Sequence, residues 1–242
     1  MRYLEALIDG VDDLPVTEVT VGLFDTLVVS RFGGLASTLR PDYPGPHGGI
    51  RNGGRLVEMG LRSLAGCSMS DNHLEASVGI AAINSFFNDP SANFADLNGI
   101  ELIGRISSGR RLAFIGHFPF AEKFRGIASE LMIFEKVPRE GDLEEADIPL
   151  RLPDADVVVV TSTVLINHTF DEILSSTRPD AYVILLGPST PLSPVLFDFG
   201  VDALCGTVID DVATVSRYVR EAVPFRDIRG IRHVTLFREP LP

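Results

Sequence analysis

Short apolar runs and amphipathic segments alternate along the second half of the chain. The apolar runs are rich in β-branched residues and predict six strands, at 112–116, 131–135, 157–161, 182–186, 201–205 and 233–237. The segments between them predict helices at 119–129, 169–176, 191–199 and 209–222. Strands that alternate with helices in this way are typical of parallel sheets. Residues 136–155 carry few helix signals and predict an irregular crossover.

The first part of the chain has a different pattern. An amphipathic helix over residues 1–9 precedes apolar runs with short glycine breaks, which predict antiparallel strands at 16–21, 23–29 and 35–39. A loop rich in proline and glycine at 41–54 leads to helices at 55–65 and 73–88. We therefore predict an α+β domain over residues 1–94. A Rossmann-like α/β domain with a doubly wound sheet then covers 95–242, opening with a helix at 95–107.

Polar loops directly follow three of the predicted strands. In an open parallel sheet, ligands bind where loops leave the carboxyl ends of the strands. These loops predict a ligand-binding crevice whose residues are Gly116, Phe118, Pro119, Thr161, Ser162, Thr163, Asn167, Gly187, Pro188, Ser189 and Thr190. Asn84 joins them because it is a polar residue inside an otherwise apolar predicted helix and needs a partner or a ligand if buried.

Two side chains near these loops are predicted to be catalytic. His117 follows the first strand and could serve as a general acid/base, a metal ligand or a hydrogen-bond anchor, although backbone groups alone could also satisfy it. Glu135 ends the next strand, 19 residues after Gly116, where an acid commonly binds a ribose hydroxyl. The GxGxxG pattern is absent, so ordinary NAD or FAD binding is not expected.

The order of the strands decides what His117 faces, and the sequence leaves two orders open. In the order 3-2-1-4-5-6, strand 112–116 lies beside 182–186, and His117 faces Ser189 and Thr190. In the order 2-1-3-4-5, strand 112–116 lies beside 157–161, and His117 faces the loop that begins at Thr161.

Composition narrows the class of partner. A formal charge of −12 without a stripe of Lys and Arg argues against nucleic acid. No apolar run reaches about 18 residues and no signal peptide is recognisable, so neither membrane insertion nor export is expected. Two distant cysteines predict no disulfide scaffold and suit a reducing cytoplasm. Cys67 is, with His117, a candidate metal ligand, and a homodimer remains open.

Several strings of the chain carry a family resemblance. They are Gly33–Leu39, Glu75–Asn84, Gly116–Phe120, Asp156–Thr169, Gly187–Pro191 and Gly200–Gly206. In this order they resemble the "putative heavy-metal chelation" domain family of unknown function, over nearly the whole chain. The resemblance implies an N-terminal unit like the N-terminal domain of enolase and a C-terminal Rossmann-like unit, which meet around an active site. It also implies a role in heavy-metal chelation.

Three functions follow from these observations. The first is a cytoplasmic protein that binds a small ligand in the interdomain cleft, as a heavy metal or a metal chelate, with a divalent transition metal as the implied cofactor. The second is an enzyme that acts on a small organic or heterocyclic substrate without metal. The third is a non-catalytic sensor or accessory module of a metal transport system. Whether a reaction is catalysed stays open.

Overall fold

A computed structural model describes residues 1–40, 49–116 and 118–239. The first unit contains a three-stranded sheet and three helices: α1 (Arg2–Asp9), β1 (Glu18–Val21), β2 (Asp25–Val29), β3 (Gly33–Ser37), α2 (Leu61–Gly66) and α3 (His73–Phe87). The sheet has the order β1-β2-β3 and is antiparallel throughout, as predicted. Residues 41–48 of the predicted loop lie outside the described residues.

Helix α3 is the central element of this unit. Every residue from Glu75 to Ser85 is buried, which explains why the helix is apolar on nearly all sides. It packs directly on β3, where a Cβ at Gly34 would lie 2.2 Å from the backbone nitrogen of Ser85. Asn72 caps its first turn by accepting a hydrogen bond from the backbone N–H of Leu74.

The second unit contains a seven-stranded sheet. Its elements are α4 (Gly99–Ile106), β4 (Arg111–Ile115), β5 (Glu130–Glu135), β6 (Leu143–Glu144), α5 (Ile148–Arg151), β7 (Val157–Thr161), α6 (Phe170–Ser175), β8 (Tyr182–Leu186), β9 (Ala203–Ile209), α7 (Val212–Arg220) and β10 (Ile231–Phe237). All strand pairs are parallel except β9–β10. None of the helices in the described ranges has the length and apolar character that a membrane crossing requires.

The strand order resolves the two alternatives left by the sequence. The order is β10-β9-β8-β7-β4-β5-β6, so β4 lies beside β7 and not beside β8. The short strand β6 was not predicted. Once it is counted, the six strands from β4 to β9 follow the order 3-2-1-4-5-6, consistent with a Rossmann-like sheet.

Two predicted helices are wrong. The segment 119–129 forms only a 3-10 turn at Ala121–Phe124, because the rings of Phe118, Phe120 and Phe124 all pack against Phe114. The segment 191–199 forms a 3-10 helix at Pro194–Phe199 that ends at Gly200, which has a φ of +92°. In both segments, tertiary contacts and prolines outweigh the helical spacing of apolar residues.

The first unit covers the carboxyl edge of the large sheet. Strand β3 runs along this edge: Gly33 packs on Ile209 at the end of β9, and the backbone N–H of Ser37 donates to Oγ of Ser189 after β8. Leu39 then reaches the ends of β4 and β7. A single apolar core extends through both units, with the ring of Tyr3 4.5 Å from that of Phe170. The N-terminal unit therefore covers the carboxyl edge of the parallel sheet, the edge at which open α/β sheets generally bind ligands.

An ion-pair network stabilises the opposite, amino-terminal edge of the large sheet. Because the network needs an ionised carboxylate, we expect the free energy of unfolding to fall in acid. Asp156 Oδ2 accepts from the Arg111 backbone N–H at 2.7 Å, and its Oδ1 accepts from Arg178 Nη2 at 2.7 Å. Hydrogen bonds from Arg111 and Arg178 lower the pKa of Asp156 to about 2.

We expect Asp156→Asn to lower the free energy of unfolding at pH 7 by about 1–2 kcal/mol, allowing for partial solvent screening. Because the folded-state pKa is depressed, this difference should disappear as the pH falls from about 4 to about 2. Urea unfolding of both proteins at several pH values measures it. An equal deficit at pH 2.5 and pH 7 would contradict the assignment.

Candidate functional site

A cavity of about 290 Å³ opens at the carboxyl ends of β4, β5 and β7, below the cover formed by the first unit. Its lining residues are Leu39, Ile115, Gly116, Phe134, Glu135, Lys136, Glu145, Ile148, Thr161, Thr163, Val164, Asn167, Thr169 and Ile173. This is the place where the chain reverses its direction of travel across the sheet, since β5 lies on one side of β4 and β7 on the other. Open α/β sheets bind ligands at this switch point.

The cavity lining combines apolar and polar residues. Side chains of Leu39, Ile115, Phe134, Ile148 and Ile173 supply the apolar surface. Hydroxyl and amide groups from the loop after β7 supply most of the neutral polar surface of the cavity, and they form its polar wall. Apolar walls with a few fixed polar groups are typical of sites for small organic molecules.

The loop from Thr161 to Thr169 is held by its own polar side chains. Thr161 caps the 3-10 turn Ser162–Leu165, and its Oγ1 lies 3.0 Å from Oγ1 of Thr163. Asn167 Oδ1 accepts from both the backbone N–H of Thr169, at 3.2 Å, and its hydroxyl, at 2.8 Å. These bonds fix the polar wall before any ligand arrives.

His168 ties the same loop to the first unit. Its φ of +63° is unusual for a residue with a side chain, and its Nε2–H donates to the carbonyl of Ser68 at 2.8 Å. The contact joins the polar wall to the turn that precedes α3. The sequence does not reveal this role, because histidine before a helix usually serves as a surface cap.

Gly116 allows the first loop to approach the second closely. It has a φ of +95°, and its backbone N–H donates to the carbonyl of Phe134. An added Cβ would lie 3.0 Å from Cγ2 of Thr161. A side chain at this position would therefore be strained and would press on the polar wall.

Charged groups of three residues line the cavity. Glu135 accepts from the backbone N–H of Lys136 at 3.1 Å. Lys136 Nζ lies 3.7 Å from Oε1 of Glu145, so the lysine charge is partly neutralised. His117, which follows Gly116 in sequence, lies outside the described residues.

Phe118 and Pro119 do not line the cavity. Phe118 packs in the cluster of four phenylalanine rings, 5.6 Å from Phe114 and 5.3 Å from Phe120 between centroids. Pro119 is exposed. Phe118, which the sequence predicts to bind a ligand, is therefore packed with Phe120 against the core on one face of the sheet.

The third predicted loop and Asn84 form the seam between the two units. Ser162 Oγ accepts from the backbone N–H of Ser189, and Gly187 is required because a Cβ there would lie 2.5 Å from this oxygen. Asn84 Nδ2 donates to the carbonyls of Leu35 and Pro188. Thr190 is fully buried, and its carbonyl accepts from Asn88 Nδ2. These residues hold the cover in place and do not line the cavity.

Neither cysteine lines the cavity, and the assignment of Cys67 as a metal ligand stays a prediction. Burial raises the pKa of the Cys67 thiol, as does the nearby charge of Glu75, and its Sγ lies 3.8 Å from the carbonyl of Ser63. Burial raises the pKa of the Cys205 thiol to about 12. Within the described ranges, no group of three or more His, Cys, Asp or Glu side chains could hold a metal ion.

Several lining residues could not be identified from the sequence. Leu39 comes from the other unit, and Glu145 and Ile148 come from the irregular crossover. Lys136 directly follows the predicted strand 131–135, and Thr169 is the first residue of the predicted helix 169–176, so their positions at element ends are a signal that the sequence does contain. Nothing in a single sequence distinguishes Leu39 from an ordinary core residue.

Family models and relatives match the chain along its length. Two models, both described as "Putative heavy-metal chelation", match residues 98–237 and residues 4–87. An uncharacterised protein of Methanocaldococcus jannaschii is 27% identical over 91% of this chain and 89% of its own. The crystal structure of a DUF364-family protein of unknown function from Desulfitobacterium hafniense is 30% identical, covers 98% of both chains and has a TM-score of 0.87. A second DUF364-family structure, from Pyrococcus horikoshii, is 20% identical over the same share of both chains with a TM-score of 0.83, which shows a common fold.

Proposed function

Since the chain belongs to the DUF364 family, described as "Putative heavy-metal chelation", we propose that it binds a small organic molecule, free or as the chelate of a heavy metal, in this cavity. The cavity itself carries the proposal. It lies at the switch point of the sheet, takes residues from both units, and combines apolar walls with fixed polar groups.

The chemistry of the lining favours an organic ligand over a bare heavy-metal ion. Soft metal ions prefer sulfur and imidazole nitrogen, whereas the described lining offers oxygen atoms of Glu135, Glu145, Thr and Asn. A metal would therefore take most of its donors from the organic molecule. Glu135 and Glu145 are the carboxylates among the described lining residues that could complete such a chelate, and His117 remains a predicted ligand or acid/base.

The charge of the lining argues against polyphosphates and other strong anions. Lys136 is the single cation among the described lining residues, and Glu145 lies within 4 Å of it. The chain as a whole has a formal net charge of −12. A neutral or cationic ligand therefore meets less repulsion at this opening than a phosphate would.

Three sequence predictions accompany this proposal and stay predictions. The N-terminal unit is taken to be enolase-like, the protein to act in the cytoplasm, and the interdomain cleft to be the site of any reaction. The assignment of His117 and Glu135 as catalytic residues belongs with them.

Thermal unfolding with three probes tests the proposal: Cd²⁺ alone, 8-hydroxyquinoline alone, and their complex. We expect the organic probe or its complex to raise the unfolding midpoint, since binding at a hundredfold excess over Kd adds about 2.7 kcal/mol to stability. Thr163→Phe should fill the cavity and abolish the shift. Ser175→Phe, which adds the same side chain on the exposed face of α6, should leave it intact.

The measurement with Cd²⁺ alone provides the result that would contradict the proposal. If only Cd²⁺ raises the midpoint, and does so equally in the Thr163→Phe protein, the metal binds elsewhere and the proposal is wrong. If none of the three probes binds, methyl NMR of the lining isoleucines with a wider set of heterocycles decides whether the cavity takes organic molecules at all.

A further inference from the structure

We infer that the cavity selects ligands that carry a hydrogen-bond acceptor, through the side-chain amide nitrogen of Asn167, and that Thr169 is the positioning residue for this donor. This inference rests on the proposed function and names the chemistry of the ligand. The class it indicates is a neutral planar heterocycle with a ring nitrogen or a carbonyl oxygen on one edge.

The orientation of the Asn167 amide is determined by its partners. The backbone N–H of Thr169 can only donate, so the atom that faces it at 3.2 Å must be the amide oxygen. The Thr169 hydroxyl donates to the same oxygen at 2.8 Å. A flipped amide would set its NH₂ group against the N–H, so the nitrogen Nδ2 is directed away from Thr169.

That nitrogen is available to a ligand. Asn167 lines the cavity, and its Nδ2 donates to no residue in the described ranges. The residue is half-buried, so a ligand that filled the cavity would remove it from water. A ligand without an acceptor at this point would leave the donor unsatisfied and would bind more weakly.

The Thr161–Thr163 pair supplies a second donor on the same wall. Their hydroxyl oxygens lie 3.0 Å apart, and the backbone N–H of Thr163 points to Thr161 Oγ1 at 3.5 Å. One hydroxyl proton joins the two oxygens, which leaves the other proton uncommitted. The polar wall therefore offers hydrogen-bond donors, and Ile115, Phe134 and Ile148 supply apolar contacts in the same cavity.

The loop that carries Asn167 is held rigidly enough to discriminate between ligands with and without a hydrogen-bond acceptor. His168, between Asn167 and Thr169, has a φ of +63° and is bonded through Nε2 to the carbonyl of Ser68 in the first unit. Backbone in this region persists when its surroundings impose it, and such preorganisation reduces the entropy lost on binding. The Asn167 amide is thus held in place by its bonds to Thr169 and by the bond from His168 to Ser68.

Quinoline and naphthalene form the matched pair of probes, because they have the same shape and differ in one ring nitrogen. We would follow the δ1-methyl signals of Ile115, Ile148 and Ile173 and the side-chain NH₂ signal of Asn167 by NMR. We expect quinoline to shift both sets and to bind at least about tenfold more tightly than naphthalene, equivalent to 1.4 kcal/mol. Asn167→Asp keeps an acceptor for Thr169, removes the donor, and should bring quinoline down to the affinity of naphthalene.

Two variants at Thr169 separate positioning from folding. Thr169→Val should reduce the preference for quinoline, and Thr169→Ser, which keeps the hydroxyl, should restore it, while both retain the wild-type unfolding midpoint within a few degrees. If both probes shift the methyl signals equally and the Asn167 signal is unmoved, the proposed function stands and this inference is overturned. If neither probe shifts the methyl signals, this inference is overturned, and the wider set of heterocycles decides on the proposed function.

Discussion

Replacing Gly79 with alanine should lower the free energy of unfolding by about 3 kcal/mol or more, at the upper end of overpacking substitutions. Gly79 lies inside α3, where an added Cβ would fall 1.9 Å from the backbone nitrogen of Ser68 and 2.5 Å from its Cα. Backbone atoms cannot rotate aside as a side chain does. Either α3 or the turn Cys67–Met69 must therefore move, and urea unfolding measures the cost.

Gly66→Ala is the matched control for this substitution. Gly66 lies in α2 with a φ of −58°, and an added Cβ meets no atom within 4 Å. Alanine has the higher helix propensity, so this variant should gain about 0.5–1 kcal/mol. Equal effects of the two substitutions would show that helix propensity, and not contact with Ser68, determines the result at Gly79.

The Gly79 substitution should also affect the cavity and the ligand binding proposed for it. The carbonyl of Ser68 accepts the hydrogen bond from His168, so a shift of this turn would disturb the loop that carries Asn167. A Gly79→Ala protein that remains folded should consequently bind quinoline more weakly than wild type. Ser68 therefore links the close packing at Gly79 in the first unit to the polar wall in the second unit.

The strands of the large sheet were predictable because burial on both faces leaves a simple signature. Val157–Thr161 and Tyr182–Leu186 are continuous apolar runs, as strands covered on both sides require. The segment after β4 was not predictable in the same way. Its phenylalanines recur at a spacing that also suits a helix, and only the position of Phe114 reveals that they pack as a cluster.

The site was predictable where chemistry and topology coincide. Gly116, Thr161, Thr163 and Asn167 follow strand ends, and the structure places all four in the cavity lining together with Glu135. Ser189 and Asn84 have the same polar character, but Ser189 accepts from the backbone N–H of Ser37 and Asn84 donates to the backbone carbonyl of Pro188, each in the other unit. A sequence shows that a polar group needs a partner, and it cannot show whether the partner is a ligand or a neighbouring strand.

Asp25→Asn should stabilise the protein above neutral pH by about 2–4 kcal/mol, since each unit of pKa difference is worth about 1.4 kcal/mol. Asp25 is 3% exposed, and its Oδ2 has no hydrogen-bond partner among the described residues. It lies on the same face of β2 as Leu27, which packs against α7 and the end of β9. Burial raises its pKa to about 7.

The charged groups nearby do not offset this burial. Glu18 on β1 pairs with Arg220 on α7 at 2.7 Å, and Arg217 lies over the ring of Tyr218. Glu75 and His73 belong to α3, which packs on the opposite face of the small sheet. Among the described residues, the carboxylate of Asp25 therefore gains no counter-ion when it ionises, and ionisation weakens the packing of β2 against α7.

The direction of the pH dependence follows from the raised pKa. Below about pH 4 the Asp25 carboxyl is protonated in both the folded and the unfolded chain, and the variant should match wild type. Between about pH 4 and pH 7 the unfolded chain alone ionises, so wild-type stability should fall relative to Asp25→Asn, and above pH 7 the difference should be constant. Urea unfolding from pH 4 to pH 8.5 gives this curve, with Asp12→Asn as the exposed control that should show no comparable slope. A difference between wild type and Asp25→Asn that does not change with pH would mean that Asp25 ionises normally, and that the two units part enough for water to reach it.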